Sequence, residues 1–282
     1  MSKVPIVVDS TAYIPEDLIK KHHIHVIPQI LTWEGQSLLD GVEITPEQFY
    51  KRLQSASEIP TTSQPSAGAF ADFFKKVGEE ADSIVAILVS DHLSGTLDSA
   101  RSAVDLLENI QIEIVDSLST SMGLGWIVLA AARAVEQGKS AVEVAQLARD
   151  LVSKSRIIFV VDTLEYLHKG GRIGGAQRLM GSVLAIKPLL HLEDGRIEPL
   201  ASVRTKKNAV EQMLDVIEEE IKDKKTVRMA TVNALASEEA KELGKMLQAR
   251  FQPFELLHAE LSPAIGTHVG PGTIGVAYIT ED

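Results

Sequence analysis

Three short polar turns hold the side chains best able to bind or react. They are Thr62-Ser63-Gln64-Pro65-Ser66, Ser94-Gly95-Thr96, and His268 set among Gly266, Gly270 and Gly272. Hydroxyls, backbone N–H groups and one imidazole can chelate a carboxylate or phosphate without a full positive charge. The same residues permit a second chemistry. Ser94 as nucleophile and His268 as base would make a serine-type acyl or lipid hydrolase, with a helix N-terminus as its oxyanion hole. Against it, Leu93-Ser94-Gly95-Thr96 is not a Gly-x-Ser-x-Gly elbow, and no acid is marked to orient His268. Each turn also has an ordinary explanation, with Ser94 or Thr96 as an N-cap and Gly270-Pro271-Gly272 as a β-turn.

Two other clusters are weaker. Gly170-Gly171-Arg172-Ile173-Gly174-Gly175 lacks both the Walker spacing and the dinucleotide fingerprint. It reads as a flexible turn carrying exposed charge. With Arg178, Arg204, Lys206 and Lys207 it could form a basic patch for an acidic partner or a phosphate-bearing ligand, which makes a phosphate- or sugar-binding module a third reading. His22, His23 and His25 lie close together, but on an alternating segment His22 faces away from the other two. A solvated cluster is expected there, and no metal site.

The turns must be positioned by regular elements. Residues 84–89 (IVAILV) form a continuous β-branched-rich run, which predicts a buried strand. Leu97, Ala100, Val104 and Leu107 then carry helical spacing, so Ser94-Gly95-Thr96 falls at the entrance of a helix, where free N–H groups and the helix dipole favour an anion. Residues 5–9 and 112–115 are further strands, each ending in Asp-Ser. Residues 24–31 read as one strand and 32–42 as a hairpin. Thr45-Pro46-Glu47-Gln48 has the form of a capping box. Residues 60–66 read as a polar loop, 67–77, 124–136 and 141–153 as helices. Strands alternating with helices predict a largely parallel sheet covered on both faces.

The pattern changes after residue 155. Asp194-Gly195 between two apolar runs is a strong hairpin signal. Residues 157–161, 227–232, 255–260 and 274–279 read as strands, 210–221 and 237–250 as helices, and 262–273 as a loop. We therefore expect an α/β protein of two domains. Residues 1–155 would form an N-terminal three-layer domain on a largely parallel sheet. Residues 156–282 would form a C-terminal α+β domain with a mixed sheet.

Composition bounds the function. The chain has 282 residues, 45% of them hydrophobic, with a formal net charge of −11 and no cysteine. That charge argues against nucleic acid and against docking on an anionic membrane by charge alone. Thiol catalysis and disulfides are excluded. With no signal peptide evident and no apolar helix long enough to span a bilayer, the sequence predicts a cytoplasmic protein without stable membrane insertion.

The polar turns, taken in order, also carry a resemblance. The chain resembles the DegV family of bacterial fatty-acid-binding proteins, which includes the FakB-like subunits of bacterial fatty-acid kinases. The matching pieces are VVDST (7–11), TSQPS (62–66), LSGT with the following SA (93–100), VDS (115–117), LEYLHKGGRI (164–173), KPLL (187–190), Arg204-Thr205 and HVGPGTIG (268–275). The resemblance implies a non-enzymatic carrier, without cofactor or metal, for one long-chain fatty acid held at or near the domain interface. Thr62 and Ser94, with Ser63 and Gly95, would hold the carboxylate, and His268 would assist. It implies a kinase subunit as partner, which would convert the presented carboxylate into an acyl phosphate for phospholipid synthesis. Arg172 and Arg204 match basic positions for docking or phosphoryl transfer. Residues 124–132 and 179–186 are candidates for lining the tail, although such stretches are more often plain core.

Overall fold

The structure is a computed structural model and describes residues 4–108, 110–181 and 186–281. The first half runs β1 (Ile6–Asp9), α1 (Glu16–Lys21), β2 (Ile24–Ile27), β3 (Ile30–Trp33), β4 (Gln36–Leu39), α2 (Pro46–Leu53), β5 (Thr61–Ser63), α3 (Ala67–Val77), β6 (Ser83–Leu88), α4 (Thr96–Val104), β7 (Gln111–Asp116), α5 (Ser121–Glu136) and α6 (Ala141–Val152). The second half runs β8 (Ser155–Val160), α7 (Glu165–Lys169), β9 (Lys187–Glu193), β10 (Arg196–Val203), α8 (Lys206–Ile221), β11 (Val227–Asn233), α9 (Ser237–Phe251), β12 (Glu255–Glu260), α10 (Pro263–Val269) and β13 (Ile274–Thr280).

These strands make three sheets. The first is fully parallel, in the order β2-β1-β6-β7. The second is mixed, in the order β10-β9-β8-β13-β11-β12, with β11 and β12 its parallel pair. The third is a small antiparallel sheet, β4-β3-β5. The expected α/β class, with a parallel sheet in the N-terminal part and a mixed one in the C-terminal part, is what the chain forms.

Period-two alternation sets the layers. Val7, Ile84, Ala86 and Leu88 face α3 and α4, packing with Phe70, Phe74 and Leu97. Val8, Val85, Ile87 and Val89 face the other way, into a core shared with the mixed sheet. Helix α5 lies in that shared layer, touching β1 and β6 on one side and β8, β11 and β13 on the other. Twelve of its sixteen residues are buried. A helix apolar all round needs walls all round, and two sheets supply them. Trp126 anchors it, its Nε1 donating to the Ala277 carbonyl at 3.3 Å. Helices α8 and α9 cover the outer face of the mixed sheet.

Several local expectations hold. Thr45 and Gln48 form the capping box of α2, and Asp194 (φ +47°) and Gly195 (φ +77°) turn the β9–β10 hairpin. Others are corrected. The 24–31 segment is two strands, because Pro28 carries no N–H and breaks the run, sending β2 and β3 to different sheets. The 60–66 loop contains β5, which pairs antiparallel with β3. The 262–273 loop contains α10, opened by Ser262, whose Oγ accepts from Ile265 N at 3.2 Å, with Pro263 in the first turn. His22 is not part of a solvated cluster: it is buried, with Nδ1 2.7 Å from Glu136 Oε1.

Candidate functional site

A cavity opens where the three sheets meet. Thr62, Ser63, Ser94, Arg172 and His268 all line it. Four separate stretches of sequence are thus brought together.

Each arrives by its own element. Edge strand β5 carries Thr62, opposite Leu31 of β3. Helix α10 carries His268, whose Nε2 lies 2.8 Å from Thr62 Oγ1. Ser94 sits on the turn between β6 and α4, beyond the carboxyl end of a parallel strand, a usual place for ligands in such sheets. The two turns touch: a Cβ on Gly95 would come 2.8 Å from Gln64 Nε2, so glycine at 95 is what admits the Gln64 side chain. Neither Ser94 nor Thr96 caps α4. Its N-cap is Gly95, without a side-chain bond, and Ser94 Oγ instead lies 2.8 Å from Thr96 Oγ1. Thr96 in turn accepts from Gln29 Nε2 at 2.9 Å.

The glycine-rich turn is a close-packed spacer rather than a flexible loop. A Cβ on Gly170 would fall 2.2 Å from His268 Nδ1, and one on Gly174 would fall 2.3 Å from the Ile197 carbonyl oxygen. Arg172 on this turn donates from Nε to the Leu93 carbonyl at 3.0 Å and from Nη1 to the Gly170 carbonyl at 2.7 Å. The basic group therefore stands at the cavity wall, beside the turn that bears Ser94. Arg204, just past β10, is exposed and does not line the cavity.

Burial, with the nearby Arg172 charge adding to it, holds His268 down at about 4, so the ring is neutral at pH 7. Its Nδ1 is buried without a partner among the described residues. The hydrolase pairing of Ser94 with His268 is not formed, since Nε2 faces Thr62 and no carboxylate orients Nδ1. Near the first turn of α10, buried Asp40 accepts from Ser10 Oγ at 2.6 Å. Burial lifts Asp40 to about 7.

Much of the remaining wall is apolar. Ile157 and Phe159 of β8, Leu192 of β9, Ile197 of β10 and Val232 of β11 come from one face of the mixed sheet, and Ile265 and Val269 come from α10. Gly275 of β13 pairs with Phe159 on one side and Val232 on the other. It contributes no side chain to that row, and a Cβ there would fall 2.7 Å from Phe159 Cβ. Residues 124–132 of α5 do not line the cavity; they are core. Of the 179–186 candidate, residues 182–185 lie outside the described residues, and Leu179 packs against the shared core. Sequence reasoning missed Thr11, Gln29, Thr120 and Ser121, which also line the cavity. The signal for Gln29 was its place directly after the strand-breaking Pro28.

Among the described residues no group of three or more His, Asp or Glu side chains is arranged to hold a metal, and no helix is long and apolar enough to cross a membrane.

Comparison with known proteins adds the following. The pattern of a family described as "Uncharacterised protein, DegV family" matches residues 3–281. A DegV domain-containing protein of Clostridium perfringens is 36% identical over 282 residues, covering 99% of both chains. Among solved structures, a DegV family protein of Thermus thermophilus, described by its fatty acid binding, superposes with a TM-score of 0.94 at 33% identity over 99% of this chain and 100% of its own. DegV of Bacillus subtilis, described as a fatty acid binding protein, gives 0.93 at 30% identity over the whole of both chains.

Proposed function

The chain belongs to the DegV family, and from that premise we propose that it binds one long-chain fatty acid, with the carboxylate at the Thr62–Ser94–His268 end of the cavity and the tail along the mixed sheet. Thr62, Ser63 and Ser94 supply hydroxyls and Gly95 the start of α4, while neutral His268 holds Thr62 in place. Arg172 adds positive charge at the wall. The observation that carries this reading is a polar end walled by three hydroxyl residues and an imidazole, continuous with a wall of Ile, Leu, Val and Phe. The two solved relatives named above are described as binding fatty acids, which supports the same ligand.

The energetics suit such a ligand. Each buried methylene contributes about 0.8 kcal/mol, so a chain of ~16 carbons supplies on the order of 10 kcal/mol before association costs. Micromolar or tighter binding follows without a strong charge pair on the head group. A carboxylate held mainly by hydroxyls stays nucleophilic. That suits a carrier that presents it to a separate kinase subunit for acyl-phosphate formation, with Arg172 and Arg204 serving docking or transfer. The carrier itself needs no cofactor and performs no chemistry.

Native mass spectrometry of the chain purified from bacteria tests the ligand. Co-purification of a C16 or C18 acid is expected. A protein that carries no lipid and takes up none when offered would refute the reading, and ester turnover abolished by Ser94→Ala would favour a hydrolase instead.

A further inference from the structure

Thr62 and Ser94 already have hydrogen-bond partners within the protein. Two other hydroxyls of the cavity wall have no partner at all among the described residues. Thr120 Oγ1 and Ser121 Oγ are both buried, both without a partner among the described residues, and both belong to residues that line the cavity. Ser121 is only 1% exposed. Buried hydroxyls without partners are costly, and a native protein keeps them only where something else completes them.

These two residues also open α5. Thr120 is its N-cap, and no side chain caps the helix. The amides of Gly123 and Leu124 already bond back to the Thr120 carbonyl, so Ser121 N and Met122 N lie ahead of the intrahelical ladder. A sixteen-residue helix therefore begins at the cavity wall, with two unpartnered hydroxyls at its positive end. Ser121 holds φ +49°, a conformation uncommon for a residue with a Cβ. The neighbouring turn belongs to the same wall, because Ser90 N donates to the Ser119 carbonyl at 2.9 Å, tying the loop before α5 to the loop that bears Ser94.

We propose that the N-terminus of α5, through the Thr120 and Ser121 hydroxyls, is a second anchor for the ligand's carboxylate, so that the head group is bridged between the starts of α4 and α5. This rests on the fatty-acid reading above and extends its head-group site to residues not otherwise assigned. The positive helix end favours an anion over a neutral oxygen, which selects a carboxylate rather than an alcohol or ester. A carboxylate has two oxygens and about four acceptor positions, enough to serve both helix starts at once.

The test compares palmitate with 1-hexadecanol, which has the same tail and no charge, on the full chain stripped of lipid. Ser121→Gly removes the hydroxyl while keeping a residue at ease with positive φ; Thr120→Val removes the other hydroxyl at similar volume. Each variant is expected to lose roughly tenfold in palmitate affinity, as for a lost hydrogen bond to a charged group, with hexadecanol affinity unchanged. Retained hexadecanol binding also certifies that the variant is folded. If the palmitate-to-hexadecanol ratio stays at the wild-type value in both variants, the hydroxyls hold only water or structure and the proposal is overturned. That outcome leaves the fatty-acid reading standing, provided wild type still prefers palmitate. A wild-type chain that binds neither ligand overturns both.

Discussion

Thr62 Oγ1 and His268 Nε2 stand 2.8 Å apart across 206 residues of sequence. That bond joins edge strand β5 to helix α10 at the polar end of the cavity. The buried ring is neutral at pH 7, and either tautomer can make the bond: Nε2–H donates to Thr62 Oγ1 and leaves the Thr62 hydrogen for a ligand, or a bare Nε2 accepts from Thr62.

The pH dependence of stability should show this, together with the opposite behaviour of Asp40. His268 takes up a proton near 6.5 when unfolded but only near 4 when folded. Between those values the unfolded chain binds more protons, so the His268 contribution weakens as pH falls from 6.5 towards 4. Asp40 is raised from 3.8 to about 7 on folding. There the native state binds more protons, so its contribution weakens as pH rises from 3.8 towards 7. Denaturant titrations from pH 4 to 7 are expected to lose the first slope in His268→Gln and the second in Asp40→Asn. Unchanged slopes would mean that these groups are not buried as described.

Gly170→Ala should weaken palmitate binding although Gly170 itself does not line the cavity. The new methyl would fall 2.2 Å from His268 Nδ1 and push the ring off Thr62. A loss of about tenfold is expected from one misplaced hydrogen bond near a charged ligand. Wild-type affinity in this variant would show that the ring can move freely.

Thr96 is fully buried between Gln29 and Ser94. Gln29 donates to Thr96 Oγ1, so the Thr96 hydrogen is best used on Ser94 Oγ, which turns the Ser94 hydrogen towards the cavity. Thr96→Val should therefore reduce palmitate affinity while Thr96→Ser preserves it. Equal losses in the two variants would point to packing instead.

Trp126→Ala tests the layered core. Trp126 is 1% exposed and spans from α5 to the mixed sheet. A loss of roughly 3–5 kcal/mol in unfolding free energy is expected. A loss well below that would place α5 outside the shared core.

Local chemistry made much of this legible. The buried run at 84–89, the Thr45–Gln48 capping box and the Asp194-Gly195 hairpin each depend on neighbours in sequence, and each was found where expected. The Ser94 turn was placed correctly at the start of a helix for the same reason. What escaped was decided by residues far apart. The tail wall could not be read because Ile157, Phe159 and Val232 are the same residue types, in the same alternation, as packed core. Gly275, paired between Phe159 and Val232, leaves that row one side chain short. The apolar stretch of α5 has the composition of core or of a tail wall, core being the commoner, and two sheets cover it. Helix α10 reads as a loop in the sequence because its seven residues hold a glycine and a threonine and no helical stripe, although Ser262-Pro263 is a good start signal.

The most direct measurement is the palmitate affinity of the full chain, stripped of lipid, set beside that of the Thr62→Val, Ser94→Ala double variant. Micromolar or tighter binding by wild type, weakened at least tenfold in the variant while 1-hexadecanol binding stays the same, is the predicted result. Identical palmitate affinity in the two proteins would contradict it, because the acid would then not be held by the hydroxyls at the polar end of the cavity.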